Sequence, residues 1–470
     1  MLNFKKNLLR ILEKSLDGFE TLESTKRLTS GASRITFEIS TICKGKPKKL
    51  ALRINPADLN KDGLMSQRIA PFLEAKVMKL ARSTGIPTPK IIYIFDEKDD
   101  LGEGYLMDWM EGESVGSKIA KGEEFKEIRP VLAKQCGQLL GRLHSIDIAS
   151  TGLEDFLVKL KPIDYVSQQY KIYKSLGVQR PMIEYVARWL LENPPRDRPL
   201  CLVHNDFRNG NLLVDKSSGI SGVLDWEIAH IGNPIRDIGW LCTPSWRFGV
   251  SSNTVGGFGM LEDLLASYEA SGGSKLEQEE IKFWIIFGSF WWAIACLLME
   301  KSYETGEDKS IERPIIGRRV SECEMDCINF LIPGEASFNP RKMIDRLEKQ
   351  LDPLLITSIK EYVKEEILLK AEGRQKFLAT IACNALDITI REYKYGKHFK
   401  ESEQKQLERL LKRKGNLSSL RSEIASAIRH KDISLSSEGL KQYLRDSTLL
   451  QILIDQPNYP GLYELKNPIF

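Results

Sequence analysis

The segment Leu200–Glu227, LCLVHNDFRNGNLLVDKSSGISGVLDWE, constrains this chain's fold more than any other. An apolar run, Cys201–Val203, leads into a polar loop, and a second, Leu212–Val214, leads out of it. Both read as short strands. Strands pinned on either side of a short loop make its side chains face one cavity. That loop carries His204, Asp206 and Asn211, with five residues from the aspartate to the asparagine. A third run, Gly222–Leu224, reads as a hairpin partner that delivers Asp225 beside Asn211. The set offers one carboxylate to accept a proton. It also offers an amide and a second carboxylate as hard oxygen ligands, which suit Mg²⁺ shared with nucleotide phosphates. A single loop Asp or Asn is ordinarily a turn residue; three held between apolar strands read as a site.

His-x-Asp-x4-Asn, followed by an aspartate on the next strand pair, is the layout of phosphoryl-transfer kinases. With Asp225-Trp226-Glu227 and Gly232-Asn233-Pro234-x-x-Asp237 added, residues 20–335 resemble the aminoglycoside phosphotransferase–choline kinase superfamily. The nearer resemblance is to its acyl-CoA-dehydrogenase-associated branch. It implies an α+β, protein-kinase-like two-lobe fold followed by an all-α domain. The β-rich, nucleotide-binding N-lobe would be residues 1–111 and the mainly helical C-lobe, catalytic and acceptor-binding, 112–335. The helical domain would be 341–470.

The resemblance also implies roles. Asp206 is the base that takes the acceptor's hydroxyl proton, with His204 bracing the catalytic loop. Asn211 and Asp225 hold Mg²⁺. Arg53 reaches the ATP phosphates and Glu74 is its partner carboxylate. Ser30, Gly31 and Ser33 lie in the turn that covers the nucleotide, and Asp108–Glu111, including Met110, is the hinge that takes adenine. The chain departs from the family pattern in three places. It has Arg53 where lysine is usual, no GxGxxG in the covering turn, and HND where HGD is common. A guanidinium keeps the charge of an ammonium but not its geometry. No Walker A sequence is present, which excludes a P-loop kinase.

Several residues carry bland readings beside these. Arg53 and Glu74 also fit an ordinary surface ion pair. Asp237 opens a helix and reads as a cap or loop anchor. Arg208 fits either an anionic acceptor or a solvated charge. His144 and His230 show no partner signal and read as packing or surface residues.

Upstream, three strand-like runs, Thr21–Thr29, Arg34–Cys43 and Lys48–Asn55, precede a helix over Gln67–Arg82. Strands over Lys90–Phe95 and Gly104–Met110 follow, then helices over Val131–His144 and Tyr165–Leu191. The N-terminus reads as a short amphipathic helix and has no signal-peptide core. Phe283–Met299 holds 17 residues without a charge. At about 1.5 Å per residue it spans about 25 Å, short of a bilayer core of about 30 Å, and it reads as a buried helix. Eight scattered cysteines without a CxxC read as reduced thiols in a cytoplasmic protein.

Lys plus Arg is 68 against 64 for Asp plus Glu. That balance speaks against a nucleic-acid partner. The excess is confined to residues 341–470, with 24 basic and 18 acidic side chains. This tail follows the linker-like Ile332–Pro340. Its segment Leu354–Tyr395 resembles a small helical domain of undefined function found with acyl-CoA-linked phosphotransferases, through Gly373, Arg374, Phe377, Ala382, Asn384, Ala385, Leu386, Arg391 and Glu392. Phe377, Ile381, Ala385 and Ile388 form an apolar stripe, and Asn384 and Arg391 share nearly one face. They are expected at an interface with the kinase part. Arg318, Arg319 and Glu322 either line an acceptor cleft or lace a helix surface.

By this resemblance the acceptor is a small hydroxylated metabolite, foremost a hydroxyacyl-CoA, and the partner an acyl-CoA dehydrogenase or a second copy. An aminoglycoside- or choline-type kinase and a nucleotide-binding regulatory pseudokinase are the alternatives.

Overall fold

The structure is a computed structural model and describes residues 2–28, 34–55, 68–349 and 352–463. It begins with helix α1 (Leu2–Ser15) and strands β1 (Phe19–Arg27), β2 (Ile35–Cys43) and β3 (Lys46–Ile54). Helix α2 (Pro71–Ser83) and strands β4 (Ile91–Ile94) and β5 (Gly104–Asp108) follow. Helices α3 (Gly116–Lys121), α4 (Arg129–His144), α5 (Pro162–Ser175) and α6 (Pro181–Glu192) precede four short strands. These are β6 (Cys201–Val203), β7 (Leu212–Asp215), β8 (Gly219–Val223) and β9 (His230–Gly232). The remainder is helical: α7 (Ile235–Leu241), α8 (Leu261–Ala270), α9 (Gln278–Glu304), α10 (Glu312–Arg318), α11 (Val320–Leu331), α12 (Pro340–Glu348), α13 (Leu354–Tyr362), α14 (Gly373–Leu411), α15 (Leu417–Arg429) and α16 (Glu438–Asp455). The α+β expectation holds.

Two units divide the chain, and neither is continuous in sequence. The first joins Met1–Pro162 to Arg196–Trp284; the second joins Ile163–Pro195 to Ile285–Phe470.

In the first unit, five antiparallel strands run in the order β1-β2-β3-β5-β4. Leu8, Ile11, Leu12 and Leu16 of the N-terminal segment pack on Ile39, Leu50, Leu52 and Leu106 of the sheet. Each fully buried side chain of this kind contributes about 1.5–3 kcal/mol. That burial explains why α1 forms on so short an amphipathic pattern. Helix α2 starts at Pro71, whose fixed φ suits a first turn. It buries Leu73, Val77, Met78 and Ala81, with Glu74 in its first turn. Two two-stranded ladders, β6-β9 and β7-β8, frame the Leu200–Glu227 segment.

The apolar run Phe283–Met299 falls within α9, the one described helix long and apolar enough to cross a membrane. Of its most apolar window, 83% is buried inside the protein, so it serves as core. All eight cysteines are free thiols.

The helix expected over Tyr165–Leu191 is two helices. Gly177 takes a left-handed φ of 69°, and Pro181 opens α6 at its first position.

In the second unit, ion pairs tie elements far apart in sequence. Arg180 forks onto Glu324 at 2.8 and 2.6 Å. Glu184 of α6, fully buried, takes the guanidinium of Arg429 on α15. Arg318 pairs with Asp455 of α16 at 2.6 Å. Arg319 pairs with Glu322 one turn on, at 3.0 Å, which is the helix-lacing alternative. Arg391 donates to the carbonyl oxygen of Ile454 at 2.6 Å, within this unit, while Asn384 is exposed. The expected stripe on α14 is displaced as well: Phe377 is exposed, and Ala379, Cys383 and Ile390 are buried. The long helix lies between several partners, so one periodic face does not describe it.

Candidate active site

The loop between β6 and β7 is held from below by α7. Asp237 accepts the backbone N–H groups of His204 at 2.8 Å and Asn205 at 2.6 Å. It also meets His144 Nε2 at 3.1 Å, and His144 Nδ1 meets the Tyr268 hydroxyl at 3.0 Å. Burial would raise the Asp237 carboxyl, but His144 and the loop N–H groups hold it below the usual range. His144 is therefore a partnered residue, contrary to its sequence reading; its partner lies 93 residues away. Asn205 turns the chain at a φ of 68°, a region asparagine tolerates better than most residues.

Both nitrogens of the buried His204 ring are engaged. Nδ1 accepts from the Asp206 N–H at 3.2 Å, and Nε2 faces the carbonyl oxygen of Leu224 at 3.0 Å. The ring lies 4.4 Å from that of Trp226. This geometry fastens the loop to the strand end that leads into Asp225.

Three donors fix the Asp206 carboxylate. Oδ1 accepts from Trp240 Nε1 at 2.7 Å and Arg208 Nε at 2.9 Å, and Oδ2 accepts from Asn211 Nδ2 at 2.6 Å. Asn211 Nδ2 also donates to the Asp206 carbonyl oxygen at 2.9 Å. With both amide hydrogens directed to Asp206, the remaining group of that side chain is its oxygen. Arg208 lies over the Trp246 ring at 4.2 Å. It is neither a solvated charge nor directed away from the carboxylate.

Asp225 follows the β7-β8 hairpin, where the Leu224 N–H donates to the Asn211 carbonyl oxygen at 2.8 Å. Its φ is 67°, a left-handed conformation costly for a residue with a Cβ. Asn211 and Asp225 are thus neighbours, and an amide oxygen beside a carboxylate is a donor set that fits Mg²⁺. Among the described residues no cluster of three or more His, Cys, Asp or Glu side chains could hold a metal by itself. Such a cation would therefore need oxygens from a ligand as well.

Arg53, on β3, is no surface pair. Its guanidinium reaches Glu74 Oε1 at 3.0 Å, Asp225 Oδ1 at 2.5 Å and Glu227 Oε2 at 2.8 Å. Arg34 bonds the other oxygen of the fully buried Glu74 and the carbonyl of Ile69. Arg68 Nε meets Glu227 Oε1 at 3.0 Å. Three guanidiniums thus balance three carboxylates. Burial would raise the Asp225 carboxyl, but Arg53, with His204 and Arg208, holds it low. Glu227 moves the other way, because burial and its neighbour Asp225 outweigh Arg53 and Arg68.

Of the expected hinge, the Asp108 N–H is spent on the Lys90 carbonyl at 2.9 Å and that of Trp109 on Lys49 at 3.4 Å. Met110 comes after both, in contact range of the Gly222 position on β8. Ser30, Gly31 and Ser33 lie outside the described residues. Sequence reasoning placed Arg34 at the end of the nucleotide-covering turn, Ser30–Arg34, and not beside Glu74, and it assigned no site role to Arg68, Glu227 or Trp240. For Glu227, the Asp-x-Glu spacing on one short segment was a signal available to it.

Comparison with known proteins adds the following. The model of a phosphotransferase enzyme family matches residues 24–270, and that of a domain of unknown function, DUF6285, matches residues 369–459. Acyl-CoA dehydrogenase family member 10 of Mus musculus is 28% identical over 245 residues, 49% of this chain and 22% of the relative. Acyl-CoA dehydrogenase family member 11 of Pongo abelii is 29% identical over 210 residues, 42% of this chain and 26% of the relative. The chain thus spans about a quarter of the length of these curated relatives. A crystal structure of a putative aminoglycoside phosphotransferase from Ralstonia eutropha superposes with a TM-score of 0.57 at 20% identity. That match covers 69% of this chain and 97% of the other, and it shows a shared kinase-like fold.

Proposed function

Because the chain belongs to the phosphotransferase enzyme family, we propose that it moves a phosphoryl group from ATP, with Mg²⁺, to the hydroxyl of a small metabolite. The observation that carries this reading is the fixed Asp206 carboxylate beside the Asn211–Asp225 oxygen pair. Asp206 accepts the acceptor's proton as the hydroxyl oxygen bonds phosphorus and the bond to the leaving diphosphate breaks. Asn211 and Asp225 would hold the cation, which when bound would supply charge neutralisation at the phosphates. Trp240 and Asn211 keep the carboxylate from rotating, so its lone pair meets the hydroxyl in one orientation. Arg53 is anchored by Glu74 and aimed at Asp225, where phosphates sharing the cation would lie.

The leading acceptor is a hydroxyacyl-CoA. Its support is the relatives' name, acyl-CoA dehydrogenase family members. Phosphorylating a secondary hydroxyl on an acyl chain turns it into a leaving group, and an acyl-CoA dehydrogenase is the kind of partner that would process the product.

ADP release measured over hydroxyacyl-CoAs, choline-like alcohols, sugars and aminoglycosides tests both levels. Turnover with a hydroxyacyl-CoA, lowered about 10²–10⁴-fold by Asp206→Asn with ATP binding kept, is the expected result. Turnover restricted to another acceptor class removes the acyl-CoA reading alone. Undiminished turnover in Asp206→Asn removes the mechanism.

A further inference from the structure

Arg53 departs from the lysine usual at its position, and the structure shows what its planar fork does there. Nη1 meets Glu74 Oε1 at 3.0 Å, while Nη2 bridges Asp225 Oδ1 at 2.5 Å and Glu227 Oε2 at 2.8 Å. One guanidinium thus joins three carboxylates. An ammonium, a single point charge, has no second amino group to divide in this way. The Arg53 side chain is 11% exposed, and its Nε is buried with no hydrogen-bond partner among the described residues. Two of the three carboxylates are fixed. Glu74 is fully buried and shared with Arg34; Glu227 is buried and shared with Arg68. Asp225 differs, because its side chain is 33% exposed and Asn211 lies beside it.

This arrangement sets Arg53 against a cation on the Asn211–Asp225 pair. Asp225 Oδ1 already neutralises a guanidinium, so a divalent ion at that oxygen meets a like charge at close range. Arg53 has no room to retreat, because Glu74 and Glu227 hold it. A polyphosphate removes the conflict: its oxygens offer Arg53 acceptors in place of Asp225, and the carboxylate is released to the cation. We propose that Arg53 gates Asp225, closing the pair to a divalent ion alone and opening it to ion and polyphosphate together. The inference rests on the proposed function, in which Asn211 and Asp225 hold Mg²⁺. By linkage, the ion and the nucleotide then tighten each other by the same factor.

Titration of the full chain with Mn²⁺, a paramagnetic substitute for Mg²⁺, followed by electron paramagnetic resonance tests this without turnover. Wild type should bind Mn²⁺ weakly when no nucleotide is added. Arg53→Met should tighten that binding about 10- to 100-fold, the worth of one hydrogen bond between charged groups. Adding Asp225→Asn should abolish the gain. Affinity for a non-hydrolysable ATP analogue, read by calorimetry, should fall in Arg53→Met. A purely structural role would weaken both ligands, whereas a gate moves them in opposite directions. Arg53→Lys keeps a cation beside Glu74 and should lie between wild type and Arg53→Met; it carries the comparison if circular dichroism shows Arg53→Met unfolded. Unchanged or weaker Mn²⁺ binding in the folded variants overturns the gate. If wild type still binds Mn²⁺ with the analogue and loses it in Asp225→Asn, the proposed function survives that result. Mn²⁺ binding that never depends on Asp225 removes both.

Discussion

Trp240 donates its indole N–H to Asp206 Oδ1 at 2.7 Å from the same short helix whose Asp237 holds the backbone of that loop. Helix α7 therefore sets both the path of the loop and the rotation of its carboxylate. Seven residues control the geometry of the proposed base.

Removing the indole donor should be felt in turnover and little elsewhere. A hydrogen bond to a charged group is worth about 1.5–3 kcal/mol, so Trp240→Phe is expected to lower kcat about 10- to 100-fold. Nucleotide affinity, read by calorimetry, should not change. A variant that loses affinity and keeps kcat would assign Trp240 to nucleotide binding instead.

Close packing of α7 gives a second test. A Cβ at Gly239 would lie 2.4 Å from that of Trp284. Gly239→Ala is therefore expected to cost about 1–3 kcal/mol by overpacking. Urea denaturation measures that cost, and a turnover deficit larger than the unfolded fraction explains would show the loop shifting with the helix.

Arg34 is the counter-charge that sequence reading passed over. Its side chain is 1% exposed and Glu74 is fully buried beneath it. Arg34→Met leaves Glu74 with Arg53 alone and should destabilise the chain by about 3–5 kcal/mol. Adding Glu74→Leu removes the stranded carboxylate and should recover part of that loss, as measured by the urea midpoint. An additive double variant would show that the two side chains do not interact.

His230 gives a pH dependence. Burial lowers its imidazole from 6.5 to about 4. In the unfolded chain it takes up a proton below its ordinary value, whereas the folded chain resists until about pH 4. Stability is thus fully present above about 6.5 and is lost as the pH falls towards 4. This drop is worth roughly 3 kcal/mol. His230→Phe should flatten that part of the stability profile between pH 7 and about 4.5, followed by urea midpoints. An unchanged slope would place the acid sensitivity elsewhere.

The parts of the site that sequence made legible are those written within a few residues. Asp206, Asn211 and Asp225 sit on one 28-residue segment, and local strand and turn chemistry brings them together. Arg34 and Glu74 are 40 residues apart, and Asp206 and Trp240 are 34 apart. Such pairs are decided by how elements pack, and periodicity carries no record of that. Arg53 lay between these cases. Its strand position was readable, but its burial and its grip on Asp225 across 172 residues were not. The apolar run in α9 was legible as core because its length falls short of a membrane. The break at Gly177 and Pro181 was overlooked because the apolar pattern continues on both sides of it.

The interleaving of the two units sets an order of events during synthesis. Arg188 of α6 donates to the carbonyl oxygen of Ile428, 240 residues further along. At about 5–20 residues per second, roughly 10–50 s pass between the emergence of the two from a ribosome. Throughout that interval Glu184 and Arg188 of α6 lack the partners that α15 supplies in the finished protein, Arg429 and the carbonyl oxygen of Ile428. The first unit can close while α5 and α6 loop out of it, waiting for the C-terminal helices. A chain cut before residue 341 would lack Ile428 and Arg429, the partners of Arg188 and Glu184 on α6, so the tail is an integral part of the second unit and not a separable appendage.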